Sequence, residues 1–202
     1  MPAQRADLVQ DLRAFKLPRG FRGRSPIIVQ LWWIVDALFF QTSPQFMYSW
    51  RRSLLRAFGA TIGRGVLIRP SARITYPWKV SIGDYSWIGD ESVLYSLGQI
   101  TIGANVSISH RVYLCTGSHD YRTPSFPIYA SPIVIHDEAW LANDVFVGPG
   151  VQVGRGCVVA ARSSAFSDLP AMMVCAGTPA IPKKPRVSSL PEERFGEHPS
   201  NS

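Results

Sequence analysis

Aliphatic residues recur at every sixth position from residue 62 onward, and this repeat is the strongest pattern in the chain. Fourteen of fifteen such positions are Ile, Leu or Val, and the position four residues later is small or valine in thirteen of fifteen. The series reads Ile62, Ile68, Ile74, Ile82, Ile88, Leu94, Ile102, Ile108, Leu114, Ile135, Leu141, Val147, Val153, Val159 and Ala165. The long step from Leu114 to Ile135 indicates a loop that leaves the repeat.

A period of six fits neither the 3.6-residue helix nor an alternating strand. It predicts a short strand followed by a tight corner, so that three hexapeptides close one triangular coil and fifteen make five coils. Stacked coils lie about 4.8 Å apart, the spacing of strands in a sheet. Glycine often follows the aliphatic residue, as at Gly63, Gly83 and Gly103, and we expect it to supply the positive φ of a corner. The fold class is therefore all-β, a parallel β-helix of hexapeptide repeats.

Three regions follow from this pattern. Residues 1–60 form a basic N-terminal tail and an apolar helical segment, 61–170 form the β-helix with an excursion loop at 119–132, and 171–202 form a C-terminal extension and a disordered tail. Within the first region we predict one helix over Ile27–Phe40 and another over Gln45–Phe58. The first is shorter than the roughly 20 apolar residues that span a bilayer, and the chain start has no export signal.

Composition and charge narrow the function classes. Apolar residues make up 46% of the 202 residues and charged residues 17%, which excludes a wholly disordered chain. The three cysteines contain no CxxC pair, which favours a reduced, cytoplasmic setting. No nucleic-acid motif and no ligand spacing for a metal is visible, so we expect neither partner.

The net charge of +7 is concentrated in residues 1–60, which hold nine basic and three acidic side chains. Two interpretations of the helical segment stay open. It either packs on the β-helix as a cap, or its aromatic residues, flanked by Arg22, Arg24, Arg51 and Arg52, contact an anionic membrane surface peripherally.

The repeat, together with VYLCTGSHDYRTPSFPI, AWLANDVFVGPGVQVG and VCAGTPA, resembles the left-handed β-helix acyltransferases. It is most similar to the colanic-acid and maltose/galactoside O-acetyltransferase branch. The resemblance implies a left-handed helix, a homotrimer with active sites between neighbouring prisms, acetyl-CoA as donor, and a hydroxyl acceptor that is often on a sugar.

The resemblance also implies that His119 is the catalytic base. Acyl transfer to an alcohol requires removal of the hydroxyl proton, and an imidazole suits this task at neutral pH. We expect direct transfer without an acyl-enzyme, so Cys115 is expected only to pack. A carboxylate or a carbonyl on the other ring nitrogen would fix the tautomer, and Asp90, Glu91 and Asp120 remain alternatives for that role.

Of the remaining site residues, those for the pantetheine arm follow from the resemblance, whereas those for the phosphates and the acceptor follow from their charge, their chemistry and their expected place beside the cleft. The donor residues are expected to be Trp140, Asn143, Ala161 and Arg162 for the pantetheine arm and Lys183 and Lys184 for the phosphates. The acceptor residues are expected to be Asp90, Glu91, Tyr95, Asp120, Tyr121 and Arg122. The basic first region favours an acceptor in surface polysaccharide assembly or a lipid-linked precursor at the inner membrane. An acetyltransferase for a small amine, amino acid or antibiotic, and a non-catalytic trimeric scaffold, remain as alternatives.

Overall fold

The computed structural model describes residues 8–187, and this part of the chain is a parallel β-helix with a helical segment before it. Each coil contributes one short strand to each of three sheets, so the sheets form the faces of a triangular prism. We number the sheets 1, 2 and 3 in chain order and name each prism edge by the two sheets that it joins.

The strands of each sheet follow one another along the prism. Sheet 1 holds β1 (Thr61–Ile62), β4 (Val80–Ile82), β7 (Ile100–Ile102), β12 (Ile133–Ile135) and β15 (Gln152–Val153). Sheet 2 holds β2 (Leu67–Ile68), β5 (Trp87–Ile88), β8 (Ser107–Ile108), β13 (Trp140–Leu141), β16 (Val158–Val159), β18 (Met173–Ala176) and the antiparallel β19 (Ile181–Pro185). Sheet 3 holds β3 (Arg73–Ile74), β6 (Val93–Tyr95), β9 (Tyr113–Cys115), β14 (Phe146–Val147) and β17 (Ser164–Ala165).

The repeat of aliphatic residues forms the core of the prism, as predicted. Ile68, Leu94 and Leu141, one from each of three coils, are completely buried. Sheet 2 contains six parallel strands within the described residues, and an isolated bridge from Leu169 to Val153 adds a sixth position to the five strands of sheet 1. The prism therefore has about six turns rather than five, because β18 continues the stack beyond residue 170.

The expected role of the repeated glycines is wrong. Positive φ occurs two residues after Gly63, Gly83 and Gly103, at Gly65, Tyr85 and Asn105. At Gly83 itself, an added Cβ would lie 2.6 Å from backbone atoms of the coil above. These positions hold glycine because consecutive coils approach too closely there for any side chain.

The predicted helical segment consists of α1 (Pro26–Val35), a π-helical stretch over Asp36–Phe40, and α2 (Tyr48–Ala57). Short 3₁₀ helices lie at Leu12–Ala14 and Pro77–Lys79. Between residues 8 and 187, the chain contains no helix with the length and hydropathy needed to cross a bilayer.

The helical segment caps the first coil. Trp32, Phe40 and Leu55 are fully buried in the same core as the prism aliphatics, and the Trp32 indole donates to the Ile74 carbonyl over 2.8 Å. The cap interpretation is confirmed for this inner face. The opposite side of α1 is exposed and apolar; it includes Ile27, Leu31 and Ile34, and Leu38 of the π-helical stretch is exposed as well.

Arg51 ties α2 to the prism. Its guanidinium is completely buried and donates to the carbonyl of Ile68 in β2 over 2.6 Å and to the carbonyls of Pro44 and Gln45. Arg52 likewise donates to the prism carbonyl of Val66. The expectation that these two arginines flank a membrane surface is wrong, because their charged groups face the carbonyl groups of this chain.

Candidate active site

The excursion loop is a β-hairpin at edge 3–1 of the prism, formed by β10 (Gly117–His119) and β11 (Ile128–Ala130). It begins at Gly117, two residues earlier than the predicted 119–132 loop. Its base is closed by the Ser131 amide, which donates to the Thr116 carbonyl over 2.9 Å. The Thr116 hydroxyl donates to the Tyr95 carbonyl over 2.7 Å, so the base of the hairpin is fixed to the prism.

His119 lies at the end of β10 with a defined ring orientation. Its Nδ1 atom is 2.9 Å from the carbonyl oxygen of Phe126, and the Phe126 ring stacks on the imidazole at 4.2 Å between centroids and 9° between planes. A carbonyl can only accept, so this contact assigns the proton of the neutral imidazole to Nδ1. Nε2 then carries the lone pair, which is the state required of a general base.

The residue that orients His119 within one chain is therefore Phe126, through its carbonyl, and not one of the three carboxylates. Asp120 accepts from Arg122 Nε over 2.8 Å, and this hydrogen bond lowers the pKa of the Asp120 carboxyl. Asp90 accepts from Arg69 and lies, with Glu91, at edge 2–3. Backbone carbonyls give no signal in a sequence pattern, so the role of Phe126 could not be predicted.

The hairpin brings together part of the predicted acceptor set. A cleft of about 490 Å³ beside His119 is lined by Asp120, Tyr121, Arg122 and Tyr129, together with Pro127 and Ile128. Tyr121 is 77% exposed and Asp120 is half-buried. Tyr95 lies under the base of the hairpin, where burial raises the pKa of its hydroxyl.

The other predicted residues lie along edge 2–3 and the adjoining face of sheet 2. Asp90 and Glu91 belong to the second coil, Trp140 and Asn143 to the fourth, and Ala161 and Arg162 to the fifth. The Trp140 indole donates to Ser109 over 3.0 Å. Lys183 and Lys184 are exposed on β19, at the end of sheet 2 that is farthest from the helical cap. A single chain therefore divides the predicted site between two edges.

A second cleft, of about 330 Å³, lies on sheet 2 next to edge 2–3 and was missed by sequence analysis. It is lined by Tyr48, Arg69, Trp87, Ser109 and His110, with Leu67, Ile88, Gly89, Ser107 and Ile108 forming its floor. The exposed Trp87 stands at an outward position of the repeat, and that placement of an aromatic residue was the available signal.

Asp90 borders this second cleft, and its carboxyl group is ionised at neutral pH. Burial raises its pKa, but hydrogen bonds from the Ser71 hydroxyl and Arg69 outweigh burial and hold it below the ordinary value. The His110 Nδ1 atom lies 3.7 Å from the same carboxylate. This edge of the prism thus presents a carboxylate, aromatic rings and hydroxyl groups together.

The environment of Cys115 does not favour the thiolate that a nucleophilic cysteine requires. Burial raises the pKa of its thiol, and its sulfur donates to the Gly117 carbonyl over 3.2 Å. A thiol of raised pKa holds little of the reactive thiolate. In residues 8–187 no group of three or more His, Cys, Asp or Glu side chains is arranged to hold a metal ion.

A β-helix of hexapeptide repeats that carries a histidine hairpin at one edge is typical of hexapeptide acyltransferases, and comparison with known proteins agrees. No family model matches the chain. It is 58% identical over 181 residues to the "Putative colanic acid biosynthesis acetyltransferase WcaF" of Escherichia coli, a match that covers 90% of this chain and all of that protein. The chain therefore belongs to the hexapeptide-repeat acetyltransferase family together with WcaF, and it is an acyltransferase.

Solved structures give the same fold. The galactoside acetyltransferase in complex with coenzyme A has a TM-score of 0.74 at 25% identity, covering 87% of this chain and 89% of that one. The hexapeptide-repeat acetyltransferase VCA0836 of Vibrio cholerae, in complex with acetyl coenzyme A, has a TM-score of 0.72 at 25% identity, covering 80% and 88%.

Proposed function

We propose that this protein transfers the acetyl group of acetyl-CoA to a hydroxyl of a saccharide, in the assembly of a surface polysaccharide or its lipid-linked precursor. The observation that carries the proposal is the contact of His119 Nδ1 with the Phe126 carbonyl, which leaves Nε2 to accept a proton beside a cleft with carboxylate, guanidinium and phenol groups. The names of the relatives, which include a colanic acid enzyme and a galactoside O-acetyltransferase that is 29% identical, support the donor and the acceptor class.

The proposed reaction is a direct transfer. The acceptor oxygen attacks the thioester carbonyl carbon while His119 Nε2 takes the hydroxyl proton, and the negative charge develops on the carbonyl oxygen. A backbone N–H of the 140–143 turn in an adjacent chain would stabilise that charge. When the C–S bond breaks, the imidazolium returns the proton to the departing CoA sulfur. The Phe126 carbonyl accepts a hydrogen bond from Nδ1–H throughout, which stabilises the imidazolium.

We infer a homotrimer whose active sites lie between chains. Its support is the division of the predicted residues: the hairpin group lies at edge 3–1, and the Trp140, Asn143 and Arg162 group lies along edge 2–3. No rotation of side chains can join two edges of one prism. A neighbouring prism can place its edge 2–3 against the hairpin, which would complete the cleft.

We also propose that the protein works on the cytoplasmic side of the inner membrane, in peripheral contact through α1. The support is the exposed apolar side of α1, where Leu31 and Ile34 are 46% and 53% exposed, next to a basic stretch that includes Arg24. Flotation with vesicles of anionic lipid, with Leu31→Glu as the matched variant, tests it. We expect the wild-type chain to float and the variant to remain behind, and recovery of both at the bottom of the gradient would contradict the proposal.

The first experiment on the proposed function is calorimetric titration of acetyl-CoA, followed by acetyl transfer to a panel of glycans. We expect binding by wild type and by His119→Ala, with transfer reduced about 10²–10⁴-fold in the variant. O-acetyl sugar in the product supports the proposal, whereas N-acetyl product would show that the acceptor is an amine. Failure to bind acetyl-CoA would favour the scaffold alternative.

A further inference from the structure

The N-terminal strap, defined here as residues 8–25, lies along edge 3–1 and does not extend into solvent. At its lower end, the Arg22 carbonyl accepts from the Trp78 indole over 2.7 Å and the Phe21 carbonyl accepts from the Lys79 ammonium over 2.6 Å. At its upper end, the Asp11 amide donates to the Pro124 carbonyl over 2.7 Å. The strap is thus attached both to the prism corner and to the tip of the histidine hairpin.

The upper end of the strap also reaches the imidazole itself. The ring of Phe15 lies 5.9 Å from the ring of His119, centroid to centroid, and is tilted by 53°. The other two contacts that hold this imidazole, the stacked ring and the carbonyl of Phe126, come from within the hairpin. Phe15 therefore adds a contact from outside the hairpin.

The hairpin needs such a contact because its two ends are supported differently. Near its base, Ile128 and Ala130 pack against a buried cluster that includes Leu97 and Tyr76. Its tip is exposed at Tyr121 and its neighbours, and a hairpin of two three-residue strands is marginal without packing. His119 is the last residue of β10, where the supported base gives way to the tip.

We propose that the strap positions His119, with Phe15 as the positioning residue that holds the imidazole in place against Phe126. This inference rests on the proposed function only in taking His119 as the base. A base that is displaced by about 1 Å loses on the order of 10²-fold in rate, because the reacting atoms leave hydrogen-bond reach. Docking of the strap on the hairpin tip is then a condition for full activity.

The test is Phe15→Ala, compared with Phe15→Tyr and with Leu12→Ala, a control on the exposed side of the same strap. We expect Phe15→Ala to lower kcat for acetyl transfer by about 10–100-fold, with the dissociation constant of acetyl-CoA and the Tm unchanged. Phe15→Tyr, which keeps the ring, and Leu12→Ala should both stay within about twofold of wild type.

Two further readouts separate positioning from a general structural role. In the His119→Ala background, Phe15→Ala should have no further effect, because its action passes through the missing imidazole. The ¹⁵N signals of the His119 ring should shift or broaden in Phe15→Ala and remain unchanged in Leu12→Ala. An equal loss of rate in both backgrounds, or an unchanged kcat with unchanged ring signals, would overturn the inference.

The same experiments distinguish failure of this inference from failure of the proposed function. Full acetyl transfer by His119→Ala would remove the proposed base. In that case the ¹⁵N signals still report whether Phe15 holds the ring, and unchanged signals would overturn the strap inference as well.

Discussion

Gly83 shows how little room separates successive coils at the start of a corner. Its Cα position faces backbone atoms of residues 103 and 104, and the nearest of them would lie 2.6 Å from an added Cβ. Gly148 occupies the same repeat position in a later coil, but there the nearest atom would lie at an ordinary 3.4 Å. Glycine at the same position of the repeat is therefore required by close packing in one coil and not in the other.

We expect Gly83→Ala to destabilise the protein by about 1–3 kcal/mol, the usual cost of forcing extra volume into a packed site. The backbone of the next coil must move to make room for the added Cβ, because the nearest atoms are backbone atoms and not a flexible side chain. Gly148→Ala is the matched control and should leave the Tm close to that of wild type. Thermal unfolding of both variants measures the difference, and equal Tm values would contradict the close-contact explanation.

Asp36 is a partly buried carboxylate whose protonation affects stability. It lies in the π-helical stretch, Gln41 donates to its Oδ2 atom, and Oδ1 has no hydrogen-bond partner within the described structure. Burial raises the pKa of this carboxyl above its ordinary value. Because the folded state disfavours the charged form, stability falls as pH rises from the unfolded pKa of about 3.9.

Asp36→Asn removes that charge and keeps an oxygen that can accept from Gln41. We expect the variant to have a higher Tm than wild type at pH 7, with the gap narrowing as the pH falls and closing below about pH 3, where the wild-type carboxyl is neutral in both states. Melting curves at several pH values provide the measurement. A gap that widens toward acid pH would have the wrong sign for a raised pKa.

At the scale of elements, three arginines and the buried Leu55 attach α2 to the prism, and Arg51 is the most buried of the three arginines. The Arg51 guanidinium donates hydrogen bonds to carbonyl groups in the loop before α2 and in strand β2. Burial lowers its pKa, which shows that the contact is made at a desolvation cost. Removal of the side chain would leave the buried carbonyl of Ile68 without this donor.

We expect Arg51→Ala to lower the free energy of unfolding by about 1–3 kcal/mol, because a buried carbonyl group loses its hydrogen-bond donor. Arg13→Ala, whose wild-type side chain is an exposed ion-pair partner of Asp11, serves as the control and should change stability by less than about 1 kcal/mol. Urea unfolding followed by tryptophan fluorescence reports on the cap through Trp32. Similar midpoints for the two variants would show that the hydrogen bonds of Arg51 do not stabilise the attachment of α2.

The elements also show where sequence analysis succeeded and where it did not. The period of six predicted the strands, the prism and the position of the excursion, because every coil repeats the same inward residues. The contacts of Phe15 and Asp11 with the hairpin could not be predicted, because an irregular segment has no period and its partners lie more than one hundred residues away. The same is true of Phe126, which acts through its backbone.

At the scale of the whole molecule, the division of site residues between two edges makes a prediction about mixed oligomers. A His119→Ala chain keeps an intact edge 2–3, and a chain with Trp140→Ala and Asn143→Ala keeps an intact hairpin. In a cyclic trimer formed by random mixing, roughly a quarter of the sites would combine the two intact parts. We therefore expect two inactive chains, refolded together, to regain about that share of wild-type activity.

Light scattering of each variant first establishes that both assemble. Mixtures prepared without refolding serve as the control, since preformed trimers cannot exchange parts. Activity that stays at the level of the separate variants after co-refolding would place the whole site within one chain and would contradict the inter-subunit proposal.

The hydrogen bond between the Ser131 amide and the Thr116 carbonyl has a consequence for the evolution of proteins with this fold. This hydrogen bond closes the base of the hairpin, at the point where the hairpin leaves the prism. The next strand, β12, begins at Ile133 and pairs in register with Ile100 of β7, so the insertion does not disturb the strand pairing. Changes at the tip of the hairpin, between β10 and β11, therefore need not interrupt the pairing of β12 with β7. If the acceptor binds in the cleft beside His119, as proposed, a new acceptor specificity can evolve at this tip while the prism keeps its packing.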